Sequence, residues 1–285
     1  RNPFMTLYAE PISPGIHSEE AAQKLVLAGK KQLPVVYTPC LMSGSTAPGT
    51  IAGAVANGLA ESLSGLVLNQ LTNEGNPFIM GGVFTIMDMK TTIFSYGAPE
   101  FDLMMAALGD MSNYLDLPMF GTAGCSDSKL LDEQTAIEYA VSIMMQAQSG
   151  ANLIHDVGYI EHGNCSSMES LVMANDLIGY ARRLVGGIEV NEESLALDVI
   201  DRVGPGGDYI TDKHTFDHFK TETWYPELFP RTIYEKWVDG GSKTLTERAN
   251  EKAVDILDNY EPDPLPKDVV KKIGDIVRKA EEKLG

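Results

Sequence analysis

Basic residues are scarce in this chain: 22 Lys and Arg stand against 40 Asp and Glu, a formal net charge of −18. Nucleic-acid phosphates are bound by clustered Lys and Arg, so this balance leaves no excess for them and excludes nucleic acid as the expected partner. Cysteine is equally sparse. Cys40, Cys125 and Cys165 are scattered and odd in number, form no disulfide framework, and point to a reducing compartment, hence a cytoplasmic location. No run reaches the ~18 uninterrupted apolar residues of a membrane helix, and the N-terminal residues lack the basic-then-apolar layout of a signal peptide. No membrane role is therefore expected. The glycine fingerprint G-x-G-x-x-G after the first strand is missing too, which lowers the weight of a dinucleotide fold. The chain starts with Arg1 instead of Met and runs straight into structured-looking sequence, as a piece cut from something longer would.

What is present is the composition of a soluble globular protein, 44% hydrophobic over 285 residues. Short apolar runs alternate with longer helical patterns. Strands are expected at Met5–Ala9, Val35–Thr38, Phe78–Phe84, Met119–Ala123 and Leu153–Asp156, three of them launched by Pro34, Pro77 or Pro118, a residue tolerated at a strand's start and not in its middle. Helices are expected at Ser18–Gly29, Thr50–Leu71, Pro99–Leu115, Asp132–Ser149 and Ser166–Val185. Ser18 followed by Glu19 and Glu20 supplies an N-cap and an acidic first turn. Strands of nearly continuous apolar sequence separated by helices indicate a parallel sheet covered on both faces. Five such units fall short of the eight that close a (β/α) barrel, so the expected fold is α/β, the C-terminal part of a (β/α)8 TIM-type barrel with additional C-terminal helices. Residues 1–190 form the partial barrel, its N-terminal units missing. Residues 191–285 form a helical and aromatic-loop extension packed on it: a capped helix over Glu192–Val203, the breaker Gly204-Pro205-Gly206-Gly207, a loop from Tyr209 to Trp237, and charged helices at Thr244–Asn259 and Lys267–Leu284.

Sites on such sheets gather at the C-terminal strand ends and the loops beyond. Four clusters lie there. Ser43, Ser45 and Thr46 on a Gly/Pro loop could offer an anion hydroxyls and backbone N–H groups, or simply form an ordinary loop before a helix capped by Thr50. Gly81-Gly82 would let a ligand approach the backbone, with Phe94 and Tyr96 beyond as cage aromatics for a quaternary ammonium or as plain packing. Lys90, in the same stretch, is conceivable as a Schiff-base amine, although a solvated lysine is the commoner outcome. Thr122, Cys125 and Asp127 sit on a Gly-rich turn ahead of a helix, where a thiol can be acidified or merely buried. His155 closes its strand, placed for ligand contact or proton transfer, or as a satisfied core histidine. His162 and Cys165 are three apart, but no second close pair completes a zinc site, so no metal is expected. An acidic surface weakly favours cations nearby. These residues alone leave open a metal- or Schiff-base-dependent barrel lyase or aldolase, and a binding protein without turnover.

Several short words at these clusters, in the same order, resemble the trimethylamine methyltransferase family. They include Ser43-Gly44-Ser45-Thr46-Ala47-Pro48, Asn69-Gln70-Leu71-Thr72-Asn73, Asp88-Met89-Lys90-Thr91, Gly97-Ala98-Pro99-Glu100-Phe101, Gly124-Cys125-Ser126-Asp127-Ser128-Lys129 and Val203-Gly204-Pro205-Gly206-Gly207. The resemblance runs from Val35 to Ala249, and family members carry a long stretch ahead of the matched part. It implies transfer of a methyl group from an amine to the Co(I) centre of a separate corrinoid (cobalamin) protein, with no cofactor bound tightly by the chain itself. The family's archaeal trimethylamine enzymes hold a pyrrolysine inside the barrel, in the segment matching Gly121 to Ser126. Here that segment has only standard residues, with Cys125 the position compared. The branch without pyrrolysine acts on quaternary amines such as glycine betaine, so the resemblance implies a betaine-like substrate, a corrinoid-protein partner and a homo-oligomer. On this reading His155 serves catalysis near the corrinoid or substrate, and Gly82 and Thr122 lie against the corrinoid. Phe94, Tyr96, Cys125 and Asp127 line the amine site, and Ser43, Ser45 and Thr46 meet the substrate carboxylate.

Overall fold

A computed structural model describes residues 4–284; Arg1, at the start of the expected barrel segment, lies outside the described residues. Five strands form one parallel sheet: β1 (Leu7–Ala9), β2 (Val35–Tyr37), β4 (Phe78–Gly81), β6 (Met119–Thr122) and β7 (Leu153–His155), in that spatial order. Between them run α1 (Glu19–Lys31), α2 (Ile51–Thr72), α3 (Pro99–Tyr114) and α4 (Glu133–Gln148), and α5 (Met168–Val185) follows β7. Sequential strands neighbour one another, each separated by a helix on the same outer side, as in the wall of a parallel barrel. The architecture is α/β with a half-barrel sheet.

The register decides what faces inward. Leu7 pairs Val35, Val35 pairs Phe78, Met80 pairs Met119, and these side chains point out into the helices. Together with Leu25, Phe101 and Met104 they build the main core. The alternate set, Tyr8, Val36, Ile79, Phe120, Thr122, Leu153 and His155, lines the concave inner face. That face is open, with Leu153 at 49% and Tyr8 at 39% exposure.

Two differences from the expected strands have a local cause. The run Phe78–Phe84 is not one strand. It breaks at Gly82, where a Cβ would lie 2.4 Å from Leu108, and resumes as β5 (Val83–Ile86). There it pairs in parallel with β3 (Cys40–Ser43), a strand in a stretch read as loop. A short antiparallel pair, β8 (Tyr159–Ile160) and β9 (Cys165–Ser166), follows β7.

The helices carry their own start signals. Ser18 Oγ accepts from Ala21 N at 3.2 Å, and Glu19/Glu20 and Lys30/Lys31 complement the helix dipole at the two ends of α1. That helix runs past Gly29 to Lys31, with Gln32 taking the left-handed cap conformation expected of glycine. Thr50 precedes α2 but makes no side-chain cap bond. Among the described residues α2 is the one helix long and apolar enough to cross a membrane by length and composition. It buries Glu61, Ser62 and Asn69 and packs on α1 and α3, as a barrel helix does.

Beyond α5 the chain is more helical than its sequence suggests. The expected helix Glu192–Val203 is split at Ala196, whose φ of 47° ends α6 (Glu192–Leu195) before α7 (Leu197–Val203). The aromatic stretch Tyr209–Trp237, read as a loop, contains α8 (Lys213–Glu222), capped by Asp212, and α9 (Tyr234–Asp239). The charged helices are α10 (Leu245–Asn259), opened by a Thr244/Glu247 capping box, and α11 (Lys267–Leu284). α10 packs against α5. Asp176 of α5 fixes the intervening segment by accepting from Glu227 N at 3.1 Å and Leu228 N at 2.8 Å.

Candidate active site

His155 ends β7 on the inner face, paired in register with Thr122 at the end of β6. Its Nε2 lies 2.8 Å from Thr122 Oγ1, which is itself 3.0 Å from the Gly82 carbonyl oxygen. Its Nδ1 lies 2.8 Å from Asp156 Oδ1. These contacts admit two proton arrangements. If Thr122 donates to Gly82 O, Nε2 must donate to Thr122 Oγ1, and one proton lies between Nδ1 and Asp156 Oδ1. If Thr122 donates to Nε2, the ring is neutral and Gly82 O loses its partner. The two arrangements differ by one proton, so passing from the first to the second releases a proton from the cluster.

Aromatic rings surround this chain of contacts. Phe120 stacks on the imidazole at 4.1 Å and 15°, and Tyr8 meets Phe120 and His155 edge-on at 6.0 and 6.4 Å. Tyr96 brings its hydroxyl 3.4 Å from Asp156 Oδ2. Asp156 holds this position with a φ of 65°, unusual for a residue with a side chain. Burial first, then Cys125 and Asp156 for Tyr96 and Glu10 for Tyr8, push both phenols well above the ordinary tyrosine range, so both stay neutral donors.

The other expected residues fall at graded distances. Phe94 packs on Tyr96 at 5.0 Å, one ring behind the Asp156 cluster. Cys125 is buried and donates to the Asp156 backbone oxygen at 2.9 Å. Burial, then Asp156 and Asp127, raise its thiol far above the ordinary range, the opposite of the acidification a glycine-rich turn before a helix can give. Asp127 is a brace. It accepts from Ser95 Oγ, from Tyr96 N at 2.8 Å and from His162 Nδ1 at 3.1 Å, tying the loop after β5 to the loop after β6. Glu138 of α4 holds that brace, accepting from Asp127 N at 2.9 Å and Ser126 Oγ at 2.5 Å.

The Ser43–Thr46 loop stands apart from this cluster, against β5. Ser43 donates to Pro48 O at 2.9 Å and Thr46 Oγ1 accepts from Met42 N at 2.8 Å, while Ser45 is exposed. Lys90 is exposed in a turn closed by Asp88 and does not reach His155. Cys165 is exposed and His162 is engaged by Asp127; among the described residues no three His, Cys, Asp or Glu are placed to hold a metal. A cavity of about 450 Å³ lies between α4, α5 and residues 224–231, on the outer side, and no residue of the His155 cluster lines it.

Sequence reasoning reached His155, Thr122, Tyr96, Cys125 and Asp127 but missed Tyr8 and Phe120. Their signal was period-two alternation along β1 and β6, which shows a shared face only once the register between strands is known.

Comparison with known proteins identifies the family. The family profile described as Trimethylamine methyltransferase (MTTB) matches residues 1–285. The trimethylamine methyltransferase MttB of Desulfitobacterium hafniense (strain DSM 10664 / DCB-2) is 35% identical over 96% of this chain and 55% of its own length. That of Methanosarcina thermophila is 34% identical over 95% of this chain and 56% of its own. A glycine betaine methyltransferase of Desulfitobacterium hafniense (strain Y51) is 28% identical over 99% and 59%. The chain thus spans little more than half the length of these curated relatives. It belongs to the trimethylamine methyltransferase family.

Proposed function

We propose that this chain carries the substrate site of an enzyme that moves a methyl group from a quaternary amine, glycine betaine-like, to the Co(I) centre of a separate corrinoid protein. The observation that carries the proposal is the cluster itself: the aromatic rings of Tyr8, Tyr96 and Phe120 gathered around His155 and the carboxylate of Asp156, with Glu10 accepting from the Tyr8 hydroxyl at 2.5 Å. Ring faces and nearby carboxylates suit a delocalised cation without a hydrogen to donate. A relative named for glycine betaine supports the substrate class.

A quaternary nitrogen departs as a neutral tertiary amine, so neither a general acid nor a covalent enzyme adduct is required. The protonated, buried thiol of Cys125 fits that absence of a nucleophile. The reduced corrinoid supplies the electron pair that accepts the methyl group. This chain's part is to hold one N-methyl in line and exclude water. Asp156 would face the ammonium, His155 would orient Asp156, and Phe94 would support Tyr96 from behind. The Ser43–Thr46 loop, which stands apart from the cluster, would take no part in holding a substrate whose ammonium faces Asp156. Gly82 and Thr122 would lie at the corrinoid side. The half-barrel sheet would be five of the eight strands of a complete barrel, whose other strands cover the inner face.

The test is methylation of a reduced corrinoid protein, followed by its absorbance change, with the full polypeptide and a panel of quaternary and tertiary amines. Methylation by a betaine and not by trimethylamine is expected, with His155→Ala lowering the rate at least about tenfold and Phe94→Ala less. Silence across the panel with intact Co(I), or wild-type rates in both variants, would overturn the proposal.

A further inference from the structure

The last helix does not behave like the others. α11 buries none of its residues, although Val270, Ile273, Val277, Ala280 and Leu284 fall at spacings of three, four, three and four, one continuous apolar stripe. Ile273 is 48% and Val277 50% exposed. A stripe of this kind is stable in water only against another apolar surface. A second unpartnered surface lies on the body, a groove of about 270 Å³ between α5 and α10 lined by Met168, Leu171, Val172, Ala253, Ile256 and Leu257. Leu257 is 66% exposed on its rim.

The two surfaces match in charge. α11 has six basic against four acidic side chains, net +2, so the remainder of a chain of −18 carries −20. The groove itself is bordered by Asp176 and Glu227 against Lys252, a net −1, with the Lys252 ammonium 3.1 Å from Glu227.

The connecting segment argues for a second copy over the same one. Packing α11 back into the groove beside its own α10 needs a sharp antiparallel return, which helical hairpins make with loops of about 2–5 residues. Residues 260–266 read Tyr-Glu-Pro-Asp-Pro-Leu-Pro, glycine-free with proline at alternate positions, and proline also holds the residue before it extended. At about 3.1 Å per residue such a segment is a stiff arm roughly 22 Å long. Pairing of α11 with a second α11 is the weaker way to cover the stripe: 18 residues give little more than two heptads, and Gly274 and Ala280 thin the seam.

We propose that α11 of one copy seats its Val270–Leu284 stripe in the α5–α10 groove of a second copy, reciprocally, forming a two-fold dimer by arm exchange. Sedimentation velocity on the whole chain is expected to show a dimer. Ile273→Asp/Val277→Asp on the arm and, separately, Leu257→Asp in the groove should each raise its dissociation constant at least about tenfold. Circular dichroism and the melting temperature report whether each variant stays folded. If Leu257→Asp unfolds the chain, Leu257→Cys with Ile273→Cys replaces it, in a chain with Cys40→Ser and Cys165→Ser, joined by a short bis-maleimide. Cross-linking into two-chain species supports the exchange. A monomer at every concentration, a dimer indifferent to the arm substitutions, a dimer broken by the arm but not by folded Leu257→Asp, or cross-links confined to one chain would each overturn it.

Discussion

Asp102 offers a stability test that reaches into the support of the site. It lies on α3 facing Glu138 of α4, the same carboxylate that holds Asp127 and Ser126 in place. Its Oδ1 is buried and has no hydrogen-bond partner among the described residues. Burial first, and the charge of Glu138 second, push its carboxyl up to about 7. A carboxyl whose folded value is raised favours the native state while protonated, and that advantage is lost as pH rises from its ordinary range through about 7. At about 1.36 kcal/mol per pH unit, the interval from 3.8 to about 7 sets a ceiling of about 4 kcal/mol. Asp102 is only partly buried, so solvent screening reduces this to about 1–2 kcal/mol. Asp102→Asn keeps the shape and removes the ionisation. The variant should match the wild type in urea unfolding near pH 4 and exceed it by that amount at pH 8, the gap opening between those values. Equal stability at pH 8, or an Asn variant weaker there, would refute the account of Asp102 as a carboxyl ionised against its surroundings.

Two further substitutions probe the packing that holds the site. Gly65→Ala should lower stability by about 1–3 kcal/mol in thermal melting, because the new Cβ would lie 2.3 Å from the ring of Tyr37, which is fully buried and held by His17. A neutral result would mean that α2 can lift from β2. Asp176→Ala should strip the Glu227 and Leu228 N–H groups of their acceptor, costing about 1–3 kcal/mol. Hydrogen exchange should then rise first in residues 224–231, and unchanged exchange there would show that another group holds the segment.

The strands were legible because each is short, apolar and bounded, and three start after proline; the parallel half-barrel follows from helices in every interval. What stayed hidden depended on contacts between distant residues. Phe78–Phe84 reads as one apolar run, and only the approach of Leu108 to Gly82 shows why it must bend. The helix over Lys213–Glu222 hid behind its aromatics, although Asp212 at its cap and Lys213–Asp217 at a four-residue interval were local signals of it. Among the site residues, His155 announced itself as a titratable group at a strand end. Asp127 resembled a ligand group in sequence, yet its two oxygens are occupied by Ser95, Tyr96 and His162. Tyr8, distant in sequence and read as ordinary strand, is brought beside His155 by a sheet that curves β1 toward β7 across three intervening strands.

The same curvature links the open face to the proposed chemistry. Phe120, Leu153 and Tyr8 leave apolar surface on the concave side, and the proposed ammonium site lies among two of these residues. In water, an exposed Asp156 would be solvated and its attraction for a cation weakened, as charges a few ångströms apart interact far less in high dielectric. Covering that face therefore does two things at once in the proposed enzyme: it removes apolar surface from solvent and strengthens the hold of Asp156 on the ammonium. Affinity for a quaternary amine should consequently depend on the covered state of the inner face. Calorimetric titration with glycine betaine should give tighter binding to the full polypeptide than to residues 1–285 alone, and equal affinity would place the cation elsewhere than against Asp156.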